Sequence, residues 1–271
     1  MPAKSFVVET IKRNQLVEAL SKGKRLDGRG LGEYRKLEIK THVIEKANGS
    51  AMVTLGNTQV LAGVKIDKGI PFPDTPDKGL LIVGAELLPM AASYLEAGPP
   101  DEGAIELARV VDRGVRESEM IDVSTLVIKP GKWVYAVFCD VNILNVDGNL
   151  FDATSYAVVA ALLTAKMPKF VLEGDVVKDT GERVPLPVRK VPISVTIANI
   201  NNTLVLDPTE EEEAIMDARI TLDTDDEGNL CAGQKGEPGS FTPEQIVTAA
   251  EWSIARGKEI RQKIKEAVAH G

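Results

Sequence analysis

The chain has 271 residues, 44% of them apolar and 27% charged, as expected for one large or two small globular domains with proper cores. Its 40 acidic side chains against 32 basic ones give a formal net charge of −8. That balance excludes non-specific wrapping of nucleic acid and leaves room for a local basic site. No apolar run reaches the roughly 18 residues of a membrane span.

The stretch MPAKSFVVETIKRNQ has no long apolar core followed by a small-residue cleavage site, so no signal peptide is expected. Residues 3–22 read as an amphipathic helix marked by Phe6, Ile11, Leu16 and Leu20. A Gly-rich, charged connection, GKRLDGRGLGEY, follows. From Leu37 to Ile66 the pattern turns to strands: LEIKTHVIEK alternates, and SAMVTLG and TQVLAGVKI flank a Gly56-Asn57 turn. KGIPFPDTPDKG is a proline-rich loop, and LLIVGAELLP a further apolar strand. DEGAIELARVVDRGVRESEM predicts a helix despite Gly114. Two strands around Pro130-Gly131 come next, then LFDATSYAVVAALLTAK, a helix apolar nearly all round that belongs against a sheet. Residues 173–190 read as a polar linker with a hairpin-like tip. VPISVTIANI, NTLVLD, MDARITLDTD and NLCAGQKG give four more strands, with the last hairpin turn at Glu227-Gly228. A long amphipathic helix closes the chain, with Thr242 as N-cap, Pro243 at the first helical position and Gln245 completing a capping box. The order predicts a mixed α/β (α+β) architecture with two lobes around sheets.

Several stretches resemble the ribonuclease PH family of phosphate-dependent 3′-to-5′ exoribonucleases. KRLDGRGLGEYRKLEI is similar to that family's RxDGR opening, and GSAMVTLGNTQVLAGV to its first hairpin. AIELARVVDRGVRES resembles its arginine-bearing helix. VDGNLFDATSYAVVAALLTA falls where the family has D-G-G-T-R and a core helix, and NTLVLDPTEEEE where it has an acidic metal site. The likeness runs through the whole chain in order. Within the family it is closest to the non-catalytic ribonuclease PH-like subunit of the archaeal exosome, on PPDEGAIELARVVDRGVRES, GNLFDATSYAVVAAL and LVLDPTEEEEAIMDARITL. The resemblance implies a ribonuclease PH, or ribosomal-protein-S5-domain-2-like, fold with two βα lobes. It divides the chain into an amino-terminal helix and connection (1–30), a first lobe (31–168), a linker (169–190) and a second lobe with the long helix (191–271). It also implies a ring of three heterodimers with a catalytic ribonuclease PH-like partner, RNA-binding cap subunits, single-stranded RNA as ligand, and a cytoplasmic location.

Phosphorolysis needs donors for the attacking phosphate, a cation for the developing charge and a general acid. At the family's phosphate-binding Thr-Arg stand Leu150 and Phe151, which donate nothing to an oxyanion, and Asp152 adds a negative charge beside them. Both apolar residues read as packing at a helix entry. The family's arginine pair before the arginine helix is missing too, since no arginine occurs between Arg35 and Arg109. Asp207 and Glu213 keep the six-residue spacing of its acidic site, with Glu210, Glu211 and Glu212 between them. A carboxylate cluster suits Mg²⁺, but Pro208-Thr209 also reads as a helix start, and the cluster reads first as structural surface acids. No catalytic residue, metal or cofactor is expected.

At about 100° per residue, Arg109, Arg113 and Arg116 fall within about 60° of one another, opposite Ala104, Leu107, Val111 and Gly114. Two readings stand. Glu106–Arg109, Asp112–Arg116 and Arg113–Glu117 have the spacing of intrahelical ion pairs, each worth about 0.2–0.5 kcal/mol. The resemblance instead implies RNA phosphate contacts, best matched by Arg109 and Arg113 and less closely by Arg116, for which a planar guanidinium fork is suited. The chain is thus expected to be an inactive subunit that structures the partner's active site and guides RNA. An active exoribonuclease using Asp207 and Glu213, and a pure scaffold without RNA contact, are the alternatives. Lys24, Arg25 and Arg29 read as mainly structural. Cys139 reads as a small buried apolar group, and Trp133 and Trp252 as packing or interface anchors. The two histidines, His42 on a strand-like stretch and His270, argue against a histidine triad or a multi-histidine metal site.

Overall fold

A computed structural model describes the backbone of residues 6–270 and the side chains of residues 13–270. The first predicted helix is α1 (Phe6–Ser21); residues 3–5 and the side chains of Phe6 and Ile11 lie outside the described set. Leu16 and Leu20 are buried, as their spacing predicts.

Three sheets follow. The first contains β1 (Leu37–Thr41), β2 (Gly49–Leu55), β3 (Thr58–Gly69), β4 (Leu80–Leu87), β5 (Val127–Lys129) and β6 (Trp133–Asn145), in the order β1-β2-β3-β6-β4 with β5 paired to β6. All its pairings are antiparallel except β4 with β6. The Gly56-Asn57 turn joins β2 to β3. The second sheet has the order β10-β9-β11-β12, from β9 (Ile193–Ile200), β10 (Thr203–Leu206), β11 (Ala218–Thr224) and β12 (Leu230–Gly236), all antiparallel. Asn201 and Asn202, both at positive φ, make the two-residue turn between β9 and β10.

The segment read as a polar linker is a regular ribbon: β7 (Lys166–Glu173) and β8 (Val176–Pro185) pair only with each other. The strand predicted through His42 stops at Thr41. His42 sits at φ 55°, and the chain leaves the sheet there, with Ile44 N–H donating to Ser50 Oγ.

Helices fill the space between the two large sheets. α3 (Leu150–Leu163) touches β2 and β3 on one side and β9 on the other. Its residues from Phe151 to Leu162 are all buried, which accounts for a sequence apolar on every face and rich in alanine. α2 (Glu102–Glu117) spans from β4 to β12, and α5 (Pro243–His270) from β1 to β9 and β11. α5 starts with the predicted capping box: Gln245 N–H donates to Thr242 Oγ1 (3.2 Å) and Thr242 N–H to Gln245 Oε1 (2.9 Å). A one-turn helix, α4 (Glu210–Glu213), links β10 to β11 and brings the acidic segment against the start of α3.

Candidate functional site

α2 begins where Asp101 caps it, Oδ1 accepting from Ala104 N–H at 2.8 Å. Ala104, Leu107, Val111 and Gly114 face inward as predicted, joined by Val110 and Val115. Leu107 and Val111 each contribute roughly 1.5–3 kcal/mol of apolar burial. Gly114 lies so close to β11 that an added Cβ would stand 2.9 Å from Asp223 Oδ1.

The outer face carries Arg109, Arg113 and Arg116, all exposed. Of the three expected intrahelical pairs, only Asp112–Arg116 forms, at 2.7 and 3.0 Å. Arg116 also donates to the Leu81 carbonyl of edge strand β4 at 2.7 Å. Glu106 turns away from Arg109 and accepts from Arg219 on β11 at 2.7 Å. Arg113 donates to Gln234 Oε1 on β12 at 3.2 Å, and Arg109 has no hydrogen bond or ion pair among the described residues. Arg109 and Arg113 line a cleft of about 410 Å³ together with Glu102, Ile105, Glu106, Val110 and Gln234. The three arginines therefore do not act alike: Arg116 is spent on its own helix and on β4, whereas Arg109 and Arg113 face open space.

The acidic segment differs from its expected place at the surface. Asp207 is fully buried and Glu212 nearly so; Glu210 and Glu211 alone of the run are exposed. Asp207 accepts from Arg29 Nη1 (2.9 Å), from Arg35 N–H (2.9 Å), Nε (3.0 Å) and Nη2 (2.8 Å), and from Asn149 Nδ2 (2.7 Å). Glu212 is held by Arg25 Nε (2.9 Å) and Nη2 (2.5 Å). The helix start predicted at Pro208-Thr209 is present, with Thr209 and Glu212 forming a capping box. Gly148, at φ 78°, lets the 147–149 turn lie on that start, where a Cβ would meet Thr209 backbone at 2.4 Å. Arg25 and Arg29 are thus structural, as read, and Arg35 joins them. This donor set does not fit Mg²⁺. Both oxygens of Asp207 are occupied by guanidinium and amide donors, and no group of three metal-ligating side chains converges among the described residues.

At the entry of α3, Phe151 is buried and Leu150 half-buried, which is the packing role expected of them. Asp152 presents no charge to an outer site. It is wholly buried and accepts from Tyr34 Oη (2.6 Å), Thr196 Oγ1 (2.7 Å) and Asn149 Nδ2 (2.9 Å). Burial pushes its carboxyl up to about 6, against the pull of those donors. Glu213 accepts from Asn149 N–H at 2.8 Å, and burial raises it to about 7. Asp223, bonded by Ser194 Oγ, is raised by burial to about 7. Arg219, which the sequence did not single out, is buried with its guanidinium 4.0 Å over the Phe151 ring. Its only signal was a lone arginine inside the predicted strand MDARITLDTD. Tyr34 and Tyr156, linked at 3.1 Å above Asp152, also went unread.

Cys139 is buried and its thiol is pushed up by burial, so it is a core group as read. Trp133 donates to the Asp175 carbonyl, and Trp252 packs beside Gly32. A larger cleft, about 650 Å³, lies between the 42–48 loop and the β7–β8 ribbon. Its Lys46, Lys68, Lys166 and Arg183 alternate with Glu45, Asp67 and Asp179, so it offers no face of one sign.

Residues 33–168 match the model of the 3′ exoribonuclease family, domain 1, and residues 190–256 that of domain 2. The chain is 51% identical over 264 residues to the exosome complex component Rrp42 of Thermococcus kodakarensis, covering 97% of both chains. It is 52% identical over 264 residues to that of Thermococcus onnurineus, again over 97% of both. Among solved structures, a chain of the Archaeoglobus fulgidus exosome with RNA bound to the active site superimposes with a TM-score of 0.88 at 46% identity, over 95% of this chain and 99% of that one. The two sheets, the helices between them and both family domains in order place this chain in the ribonuclease PH family of 3′ exoribonucleases.

Proposed function

We propose that the chain is a non-catalytic subunit of an exosome, one that completes a ring with a catalytic ribonuclease PH-like partner and guides RNA toward that partner's active site. The observation that carries this is the contrast between its two polar regions. Asp207 is locked among Arg29, Arg35 and Asn149, and Leu150 and Phe151 replace phosphate donors, so the chain has no phosphorolytic centre of its own. Arg109 and Arg113 stand exposed beside an open cleft, with no acid bonded to either among the described residues. Two guanidinium groups four residues apart suit successive RNA phosphates. Arg116 joins them only by leaving Asp112 and Leu81. The similarity to exosome components over nearly the whole chain supports the assembly: three heterodimers in a ring, cap subunits that bring RNA, and a cytoplasmic location.

The test is reconstitution. The purified chain with phosphate and Mg²⁺ should release no nucleoside diphosphate from RNA; mixed with the catalytic partner it should give a ring of six chains by mass and processive phosphorolysis. Arg109→Glu with Arg113→Glu should lower RNA affinity and activity at unchanged ring mass. Phosphorolysis by the chain alone would establish the active-enzyme reading, and unchanged RNA affinity in the double variant the pure-scaffold reading.

A further inference from the structure

Helix α2 sets an acid beside an arginine and yet leaves the arginine unpaired. Glu106 stands three residues before Arg109, at the spacing of an intrahelical ion pair, and both line the cleft. Glu106 is instead held from outside the helix: its Oε1 accepts from Arg219 Nη2 at 2.7 Å. Strands β11 and β12 place Arg219 for this contact. Their register sets it opposite Gly236, where an added Cβ would stand 2.5 Å from Nη2, and its guanidinium rests 4.0 Å over the Phe151 ring. The Arg219 side chain is only 8% exposed, and its Nε has no hydrogen-bond partner. The Glu213 carboxyl feels its charge, but Glu106 is the one acid bonded to it among the described residues.

The competition for Glu106 has a physical winner. A buried guanidinium left without a counter-charge is costly, whereas an exposed pair along a helix contributes little. Glu106 therefore stays with Arg219, and Arg109 keeps its donors. The other acid at pairing spacing from Arg109, Asp112, is held by Arg116 and does not line the cleft. Glu102 stands seven residues away, about two turns of helix. We infer that Arg219 is a positioning residue for RNA: it meets no phosphate itself, and by holding Glu106 it leaves Arg109 free to take one. This rests on the RNA-guiding reading of Arg109 and adds to it a residue of the second sheet.

A double-mutant cycle tests it, in the ring assembled with the native catalytic partner. Single-stranded RNA is titrated with inorganic phosphate left out, so that none is consumed. Arg219→Met should release Glu106 to Arg109. RNA affinity should fall about twofold to fivefold at unchanged ring mass, and the slope of log affinity against log salt by up to about 0.7. With Arg109→Gln already in place, Arg219→Met should lower affinity no further. Arg219→Met combined with Glu106→Gln should bind RNA like the native ring. Should Arg219→Met fail to fold, Gly236→Ala is read in the same cycle, since its methyl group displaces the guanidinium at unchanged net charge. An equal loss from the Arg219 change with and without Arg109 overturns the inference, because charge at a distance would then be the cause. So does the absence of any loss where Arg109→Gln alone weakens binding. No effect of Arg109→Gln overturns the RNA reading of that arginine, and this inference with it.

Discussion

Asp223 shows what a buried acid does in this molecule. Its carboxyl is 2% exposed, bonded by Ser194, and raised by burial to about 7, while an unfolded aspartate titrates near 3.9. The folded state therefore holds a proton that the unfolded chain releases. The stability this group contributes is present in full below about pH 4 and is lost as pH rises through about 7. Asp152, raised to about 6, and Glu213, raised to about 7, slope the same way. Asp223→Asn should flatten the dependence: urea unfolding at pH 5 and at pH 8 should differ by on the order of 3 kcal/mol less in the variant than in the native chain. Glu212 differs in its partner, being a buried acid paired with the buried Arg25 guanidinium. Glu212→Ala leaves that guanidinium without its counter-charge and should cost about 3–5 kcal/mol in chemical denaturation. These roles were only partly legible in the sequence. The loss of donors at Leu150 and Phe151 is a matter of residue type and needs no coordinates. Four consecutive glutamates look alike as a solvated run, yet Glu212 is buried and Glu210 and Glu211 are exposed. The available signal was twofold: the Thr209-to-Glu212 capping-box spacing, and three arginines at 25, 29 and 35 in need of anions.

At the scale of elements, α2 is held by shape as much as by apolar area. Gly114 faces Asp223 at a distance that excludes a methyl group, and Asp223 is itself pinned by Ser194. Gly114→Ala gains about 1 kcal/mol of helix propensity and meets an overpacking cost of about 1–3 kcal/mol. The expected outcome is a net loss of stability of about 1 kcal/mol, read as a lower unfolding temperature, together with a small displacement of α2 from β11. Arg109 and Arg113 ride on that helix, so RNA affinity in the assembled ring should also fall although neither arginine has changed. The hairpins, α3 and the capped α5 were legible because each carries a local rule: period two with a Gly-Asn turn, an all-round apolar run, a Thr-Pro-x-Gln start. The β7–β8 ribbon was not, because most of its residues are exposed on both faces and show no alternation to read. The early stop of β1 was hidden for a different reason. His42 adopts a left-handed conformation that nothing in its residue type announces.

The whole molecule carries −8 and yet is proposed to hold RNA, so its cations must work locally. Most are already engaged: Arg25, Arg29 and Arg35 inside the acidic cluster, Arg219 with Glu106, Arg261 with backbone carbonyls of Val191 and Thr224. That internal neutralisation distinguishes a fold-building arginine from one left over for a ligand. It makes Arg109 and Arg113 the pair whose removal should be felt by RNA and hardly at all by the fold, since surface charges away from special contacts shift stability by less than about 0.5 kcal/mol. Counterion release gives the quantitative form. Each phosphate neutralised on a single strand contributes about 0.7 to the slope of log affinity against log salt. Arg109→Gln with Arg113→Gln, assembled with the native catalytic partner, should lower that slope by about 1.4 per RNA-binding site, with affinity falling alike for RNAs of different sequence. Arg116→Gln in the same assay should leave the slope near the native value and act on stability instead, through the lost tie to Asp112 and Leu81. An equal fall in slope for Arg116→Gln would move the RNA path toward β4, and no fall for the double change would mean that the arginine face of α2 does not touch phosphate.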